Sequence, residues 1–392
     1  MRVAMSASRS DKRVQRHGAI IVFGCEKLQQ LPSSFSSLPS LTRLDISKCP
    51  IANLPEGIGH LGDLRELTLS CCNELTALPA SITQLSRLKT LKACTCIKLA
   101  SAPRALENHS CLRELDLTGC VLLQATLESL PRSLETLSLG TDTSSIILPD
   151  MSTTSNLKKL KLIRVTITDA LATSRDLSQI EHLELRLGAE QAEFPLLLGF
   201  LSCLRNLHIS NAKALKHLPH DLGSALPRLR QLHVEGADVL REIPNSVSLL
   251  VQLKSLHIEA PRLTHLPDTI SSLTRLGDLS LRNCSSLTSL PSSFTNLTYL
   301  QRLDLSETAL HFLPPNFHHL ARLRELDLSG CGQLPSLPQH LSNLMLLRVL
   351  NLKGCKILGR EPVPGQEPML EDLYARLGLK VYQTKHIWSI NI

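Results

Sequence analysis

Two hydrophobic periods alternate along the chain. In the stretch LQRLDLSETALHFLPPNFHHLARLRELDLSGC, Leu300, Leu303 and Leu305 are followed by Thr308, Leu310, Leu313-Pro314, Phe317 and Leu320. Leu323, Leu326, Leu328 and Cys331 then begin the same pattern again. The first half has the close alternation of a strand, and the second spaces its apolar residues by three, as a helical or 3-10 turn does. One such unit cannot bury its own apolar edge, so it must stack against copies of itself.

A partial first copy carries Ile20, Val22 and Cys25, then Leu28, Leu31-Pro32, Phe35 and Leu38. Full frames begin at Leu41, Leu64, Leu88, Leu112, Leu134, Leu157, Ile180, Leu204, Leu229, Leu253, Leu276, Leu300, Leu323 and Leu347, with steps of 22 to 25 residues. The outer half usually reads L-P-x-x-I-x-x-L, as in Leu54-Pro55-Ile58-Leu61 or Leu290-Pro291-Phe294-Leu297. Proline fixes φ and opens a helical turn without losing a needed donor. Phe35, Phe294 and Phe317 take the isoleucine slot and are expected in an inner spine. From about Val121 to Leu201 the outer pattern decays while the strand frames persist. The frames predict an α/β leucine-rich-repeat solenoid of about 15 strands. It is expected as a curved horseshoe, with a parallel sheet on the concave face and short helical or 3-10 turns on the convex face.

Four segments follow: a basic leader (1–19), the solenoid (20–358, irregular over about 121–201), a Pro/Gly linker (359–368), and a C-terminal cap (369–392). The cap is expected to hold a helix with Leu370, Leu373, Tyr374 and Leu377 on one face, then a strand and a tail. Terminal layers of a solenoid need such a cover.

Aromatic residues are 3% of the chain while 43% is hydrophobic, which suits a core of stacked leucines. Of the formal net charge of +7, the leader supplies +4 through Arg2, Arg9, Lys12, Arg13 and Arg16 against Asp11, so a long basic face for nucleic acid is not implied. No apolar run is long enough to span a membrane. Of the 12 cysteines, Cys25, Cys49, Cys72, Cys96, Cys120, Cys284, Cys331 and Cys355 fill one repeat position just past the strand. There a small side chain with a weak donor serves the turn, and parallel stacking is poor disulfide geometry. Reduced thiols imply a cytoplasmic or nuclear protein.

The repeats LRELTLSCCNELTALPASITQL and LGDLSLRNCSSLTSLPSSFTNL resemble the leucine-rich-repeat regions of plant intracellular immune receptors of the nucleotide-binding, disease-resistance type. They are similar also to cytosolic Ras-pathway scaffolds built on the same L-P-x-x-I repeat. The resemblance covers roughly residues 20–358. It implies recognition of a protein partner in defence or stress signalling or, alternatively, a constitutive scaffold in small-GTPase signalling. A nucleotide-binding receptor module and a small GTPase are the partners it implies. The receptors' switch module has no counterpart here, since G-x-x-x-x-G-K-[S/T] does not occur.

The residues between inward leucines should project from the concave face. The middle one runs Glu184, His208, His233, His257, Ser280, Asp304, Asp327 along the later frames. With Glu235, Glu259, Arg282 and Arg302 these form the candidate partner-binding surface. Three imidazoles ~5 Å apart on adjacent strands make poor tetrahedral ligands, so a solvated recognition ladder is expected and no metal. The neighbouring glutamates would favour its partial protonation and a pH-dependent affinity. Arg302 is expected to pair with Asp327 or Glu325. G-x-S-x-G, H-E-x-x-H and paired C-x-x-C are missing, so neither catalysis nor a cofactor is expected.

Overall fold

The structure is a computed structural model. It describes residues 18–355, apart from 102–105, 108, 124–129, 142–145, 148–150, 152, 167–174, 195–197 and 339, together with 382–384 and 387–389. The leader up to residue 17, the linker and the expected cap helix lie outside the described residues. Fifteen strands form one parallel sheet in chain order, β1-β2-β3-β4-β5-β6-β8-β10 and then β11 to β17, as the leucine frames predict. The chain divides into two compact units, Met1–Leu183 and Glu184–Ile392.

The first unit contains β1 (Ala19–Ile21), β2 (Arg43–Asp45), β3 (Glu66–Thr68), β4 (Thr90–Lys92), β5 (Glu114–Asp116), β6 (Thr136–Gly140) and β8 (Lys159–Ile163). β10 (His182–Arg186) spans its boundary with the second unit. β1 opens at Ala19, one residue inside the stretch read as leader. Register is strict, with Leu44 opposite Leu67 and Leu67 opposite Leu91. Each strand therefore delivers its leucine to the same layer. Between strands, the L-P pair works as expected: Pro55 and Pro79 sit at φ −69° and −66°, and the Ile58 and Ile82 amides donate back to their carbonyls at 3.0 and 3.1 Å. Within the irregular region a second, two-stranded parallel pair appears, β7 (Ile146–Ile147) with β9 (Val165–Thr166).

Phe35 departs from expectation. No residue of its 3-10 turn, Ser33–Ser37, is buried, whereas Phe294 and Phe317 are fully buried. An inner-spine residue needs a layer on both sides, and no described repeat precedes the first one. A second irregularity is His109, which takes the slot of Leu61 and Leu85 at the end of the outer turn. Its amide donates to the Leu106 carbonyl, as Leu61 and Leu85 donate to Ile58 and Ile82. The ring is 3% exposed, and neither nitrogen has a hydrogen bond of good geometry. Burial lowers its pKa, and the Leu85 carbonyl only partly offsets this.

The second unit holds β11 (Asn206–Ser210), β12 (Gln231–Val234), β13 (Ser255–Ile258), β14 (Asp278–Ser280), β15 (Arg302–Asp304), β16 (Glu325–Asp327) and β17 (Val349–Asn351). One repeat here buries Leu300, Leu303, Leu305, Leu310, Phe317 and Leu320 to 1% exposure or less. Each such side chain contributes about 1.5–3 kcal/mol against chain entropy. Near the C-terminus, β18 (Tyr382–Thr384) and β19 (Ile387–Ser389) pair antiparallel, where the sequence predicts a strand and then a tail.

The cysteine position has a definite job. Cys72 Sγ donates to the Ile46 carbonyl at 3.1 Å, Cys96 to Leu69 at 3.0 Å, and Cys120 to Ala93 at 2.9 Å. Cys284, Cys331 and Cys355 do the same to Ile258, Leu305 and Leu328. Each thiol thus satisfies a carbonyl at or one residue past the end of the preceding repeat's strand, where the chain turns away. Cys49 lies farther from its acceptor, 3.8 Å from the Val22 carbonyl, and Cys25 is only half-buried.

Candidate functional site

Parallel pairing brings His208 opposite His233 and His233 opposite His257. The His233 and His257 rings stack with centroids 4.2 Å apart and planes 5° from parallel, while His208 meets His233 edge-on at 5.8 Å. All three are half-buried, and period two places them on the open face of the sheet. His208 Nε2 lies 3.4 Å from Glu235 Oε2 without hydrogen-bond geometry. His257 Nε2 lies 3.2 Å from Ser255 Oγ and 3.3 Å from Asp278 Oδ1.

Serine and aspartate therefore address the same imidazole nitrogen. In a hydrolytic triad they must sit on opposite nitrogens, so that the ring passes a proton from one side while held from the other. This Ser-His-Asp group cannot relay a proton in that way. Its effect is to fix one ring and to anchor Asp278, which also accepts from Arg302 at 2.7 Å. Burial pushes the Asp278 carboxyl up, but the bonds from His257 and Arg302 outweigh this and hold it below its ordinary value. The expected pairing of Arg302 with Asp327 or Glu325 is thus corrected. Arg302 shares a register row with both Asp278 and Glu325, and its hydrogen bonds go to Asp278; Asp327 belongs to the next row, opposite Asp304.

His233 at the centre has its pKa lowered, first by burial and then by the like charges of His257 and His208; Glu235 and Asp278 pull the other way without prevailing. The middle imidazole is therefore biased toward neutrality.

Ser280 continues the histidine row and donates to Asp304 Oδ2 at 3.3 Å. The second oxygen of Asp304 accepts from the Ser306 amide and hydroxyl at 2.9 and 2.6 Å. Asp327 likewise accepts from the Ser329 amide at 2.8 Å and from Asn351 Nδ2 at 2.8 Å. Both carboxylates bind the turn that leaves their own strand and so act as structural caps. Arg282 is exposed just past β14, and Glu184 lies half-buried on β10.

One step below the surface the cysteine series is broken from β6 to β13, where the strands of the main sheet run four or five residues instead of three, and β11–β13 close that stretch. At the cysteine position these three repeats carry Ala212, Ala237 and Ala260, all fully buried. Without a thiol, the carbonyls of Ile209 and Val234 accept instead from the backbone amides of Glu235 and Glu259, each at 2.8 Å. The ladder runs one bond further, and both glutamates are held in line with the histidines instead of being released into the turn. Glu259 is fixed again by Asn283 Nδ2 at 3.0 Å. Asp278, Ser255 and Asn283 were missed from sequence. The signal that could have found the patch was the gap in the cysteine series between Cys120 and Cys284.

Among the described residues no group of three or more histidine, cysteine or acidic side chains is arranged to hold a metal ion. Among them, too, no helix is long and apolar enough to cross a membrane. A cleft of about 560 Å³ lies between leucine-proline segments, lined by His220, Glu242, His265 and Asp268 among others, and none of its lining belongs to the histidine ladder.

Two family descriptions match the chain: leucine rich repeat over residues 274–332, and again over residues 40–61 and 322–344. A leucine-rich-repeat protein of Leptospira interrogans is similar in structure, at 26% identity and a TM-score of 0.62, covering 82% of this chain and 81% of that one. An internalin of Listeria monocytogenes aligns at 15% identity and a TM-score of 0.48 over 85% of this chain and 86% of its own. A search of curated proteins finds no match. The repeat frames, the strand-and-turn architecture and the family matches agree: this chain is built of leucine-rich repeats.

Proposed function

We propose that the chain is a non-catalytic recognition module that binds a protein partner through the open face of β11–β13. The observation that carries this reading is the break in the cysteine series. In the last three repeats of that break the position is a buried alanine, and there the extended ladder holds Glu235 and Glu259 in line with three adjacent imidazoles. Leucine-rich repeats generally mediate protein–protein interaction, and the Ser255-His257-Asp278 geometry gives no support to catalysis. The resemblance of the repeats to plant immune receptors favours a setting in intracellular defence or stress signalling.

The test is affinity capture from a cell extract with wild type, with a His208→Ala/His233→Ala/His257→Ala variant, and with a Ser272→Ala/Thr274→Ala control on the outer turns. At least one protein should be held by wild type and control and lost by the triple variant, with circular dichroism unchanged. Equal capture by all three would refute the reading.

A further inference from the structure

The block around the histidines is graded along the strands and uniform across them. Arg230 and Lys254, both exposed, stand immediately before β12 and β13 and are adjacent in register, the Lys254 amide donating to the Arg230 carbonyl. Then come Gln231 and Ser255, the imidazoles of His233 and His257, and finally Glu235 and Glu259. One rim is cationic, the middle is a row of rings, and the other rim is anionic. The grading stops on both sides. On β14 the same positions hold Gly277, Ser280 and Arg282, and on β11 the glutamate position is Ser210.

From this pattern we propose that the partner docks as an α-helix lying across β11–β13, with a basic stripe along the edge facing Glu235 and Glu259 and an acidic stripe along the edge facing Arg230 and Lys254. The proposal rests on the recognition reading above and adds the chemistry of the partner. Dimensions support it. From Arg230 to Glu235 the chain advances five residues, about 16 Å at strand rise, and a helix with its side chains is about 10–12 Å wide. Such a helix covers the rings while its long charged side chains reach both rims. Three strands span about 10 Å, close to two helical turns, so cations at i and i+4 meet the two glutamates in step. Beyond the block, the exposed Arg282 just past β14 ends the anionic rim, and Arg302 on β15 is committed to Asp278.

The probe is a synthetic peptide of about 20 residues, long enough to hold helix alone, with glutamates along one edge and lysines along the other. Its control has the same composition with the charges scrambled around the helix. Binding is read by fluorescence anisotropy at low and physiological salt. The striped peptide should bind wild type more tightly than the scrambled one and weaken with salt. Glu235→Lys/Glu259→Lys and Arg230→Glu/Lys254→Glu should each cost about tenfold, the effect of modest surface pairs turned repulsive. The four-site swap should restore binding, because the same helix can then dock in the opposite chain direction. Equal binding of both peptides, indifference to the reversals, or no rescue by the swap would overturn the proposal. Tighter binding to Glu235→Lys/Glu259→Lys would overturn it too, since that marks a site for anions. If these results fail while the histidine-to-alanine variant still loses a captured protein, the recognition reading stands and the helix does not. If the peptide obeys the swap but no captured protein depends on the histidines, the reverse holds.

Discussion

Replacing His109 with leucine is expected to stabilise the protein, and to do so more at acidic pH. The ring is 3% exposed, in a slot where Leu61 and Leu85 are buried to 1% and 0%. Both of its nitrogens are buried without a well-formed hydrogen bond. A buried unsatisfied polar group costs about 1–3 kcal/mol, so leucine should recover a gain of that size at pH 7.5. The pH dependence follows from the lowered pKa. Unfolded histidine takes up a proton near pH 6.5, while the folded ring resists it. Below that value the unfolded state binds more protons, and stability falls. The contribution is therefore complete above pH 6.5 and declines as pH drops toward the folded value. At pH 5.5 the loss can reach at most about 1.4 kcal/mol, set by the unfolded titration alone. Urea unfolding of wild type and His109→Leu at the two pH values measures the difference, with the other histidines cancelling between the proteins. A destabilised variant, or a gain that does not grow on acidification, would show that the ring is satisfied or that leucine does not fit.

Two more outcomes are expected. Phe317→Ala should lower stability by about 3–5 kcal/mol, whereas Phe35→Ala should cost clearly less because its turn has no buried residue; equal losses in thermal melts would contradict the burial of the spine. Native protein treated with a disulfide reagent near pH 8 should show fast reaction only at half-buried thiols, Cys25, Cys71, Cys111 and Cys203, with the half-buried Cys94 slowed because burial raises its pKa. Burial pushes Cys72, Cys284 and Cys355 up to about 12, which keeps them protonated and unreactive until unfolding. Fast labelling of any of these three would refute their assigned place.

The leucine frames disclosed the sheet because buried positions repeat their chemistry. Leu44, Leu67 and Leu91 can only be read one way once the step is known. The same regularity revealed the histidine row, since register converts sequence spacing into adjacency. It could not choose between partners within reach of one side chain: Arg302 has acids on both neighbouring strands, and only side-chain geometry selects Asp278. Nor could it tell that Asp304 and Asp327 are consumed by their own turns. A local Asp-x-Ser bond and a surface carboxylate look alike in sequence. His109 was legible as a foreign residue in a leucine slot, but whether its nitrogens found partners was not.

The exchange of cysteine for alanine at positions 212, 237 and 260 has a consequence for engineering. In β11 and β12 the buried alanine of the following repeat leaves the strand-end carbonyl to a backbone amide, and the strand runs on. The breadth of the recognition block should therefore be adjustable one repeat at a time. Cys284→Ala would free the Ile258 carbonyl for the Arg282 amide and carry the extended ladder onto β14. Combined with Ser280→His and Arg282→Glu, it should lengthen the block by one strand spacing, about 4.8 Å. A recognition surface of this kind can be grown or shortened from beneath, with the leucine layers left untouched.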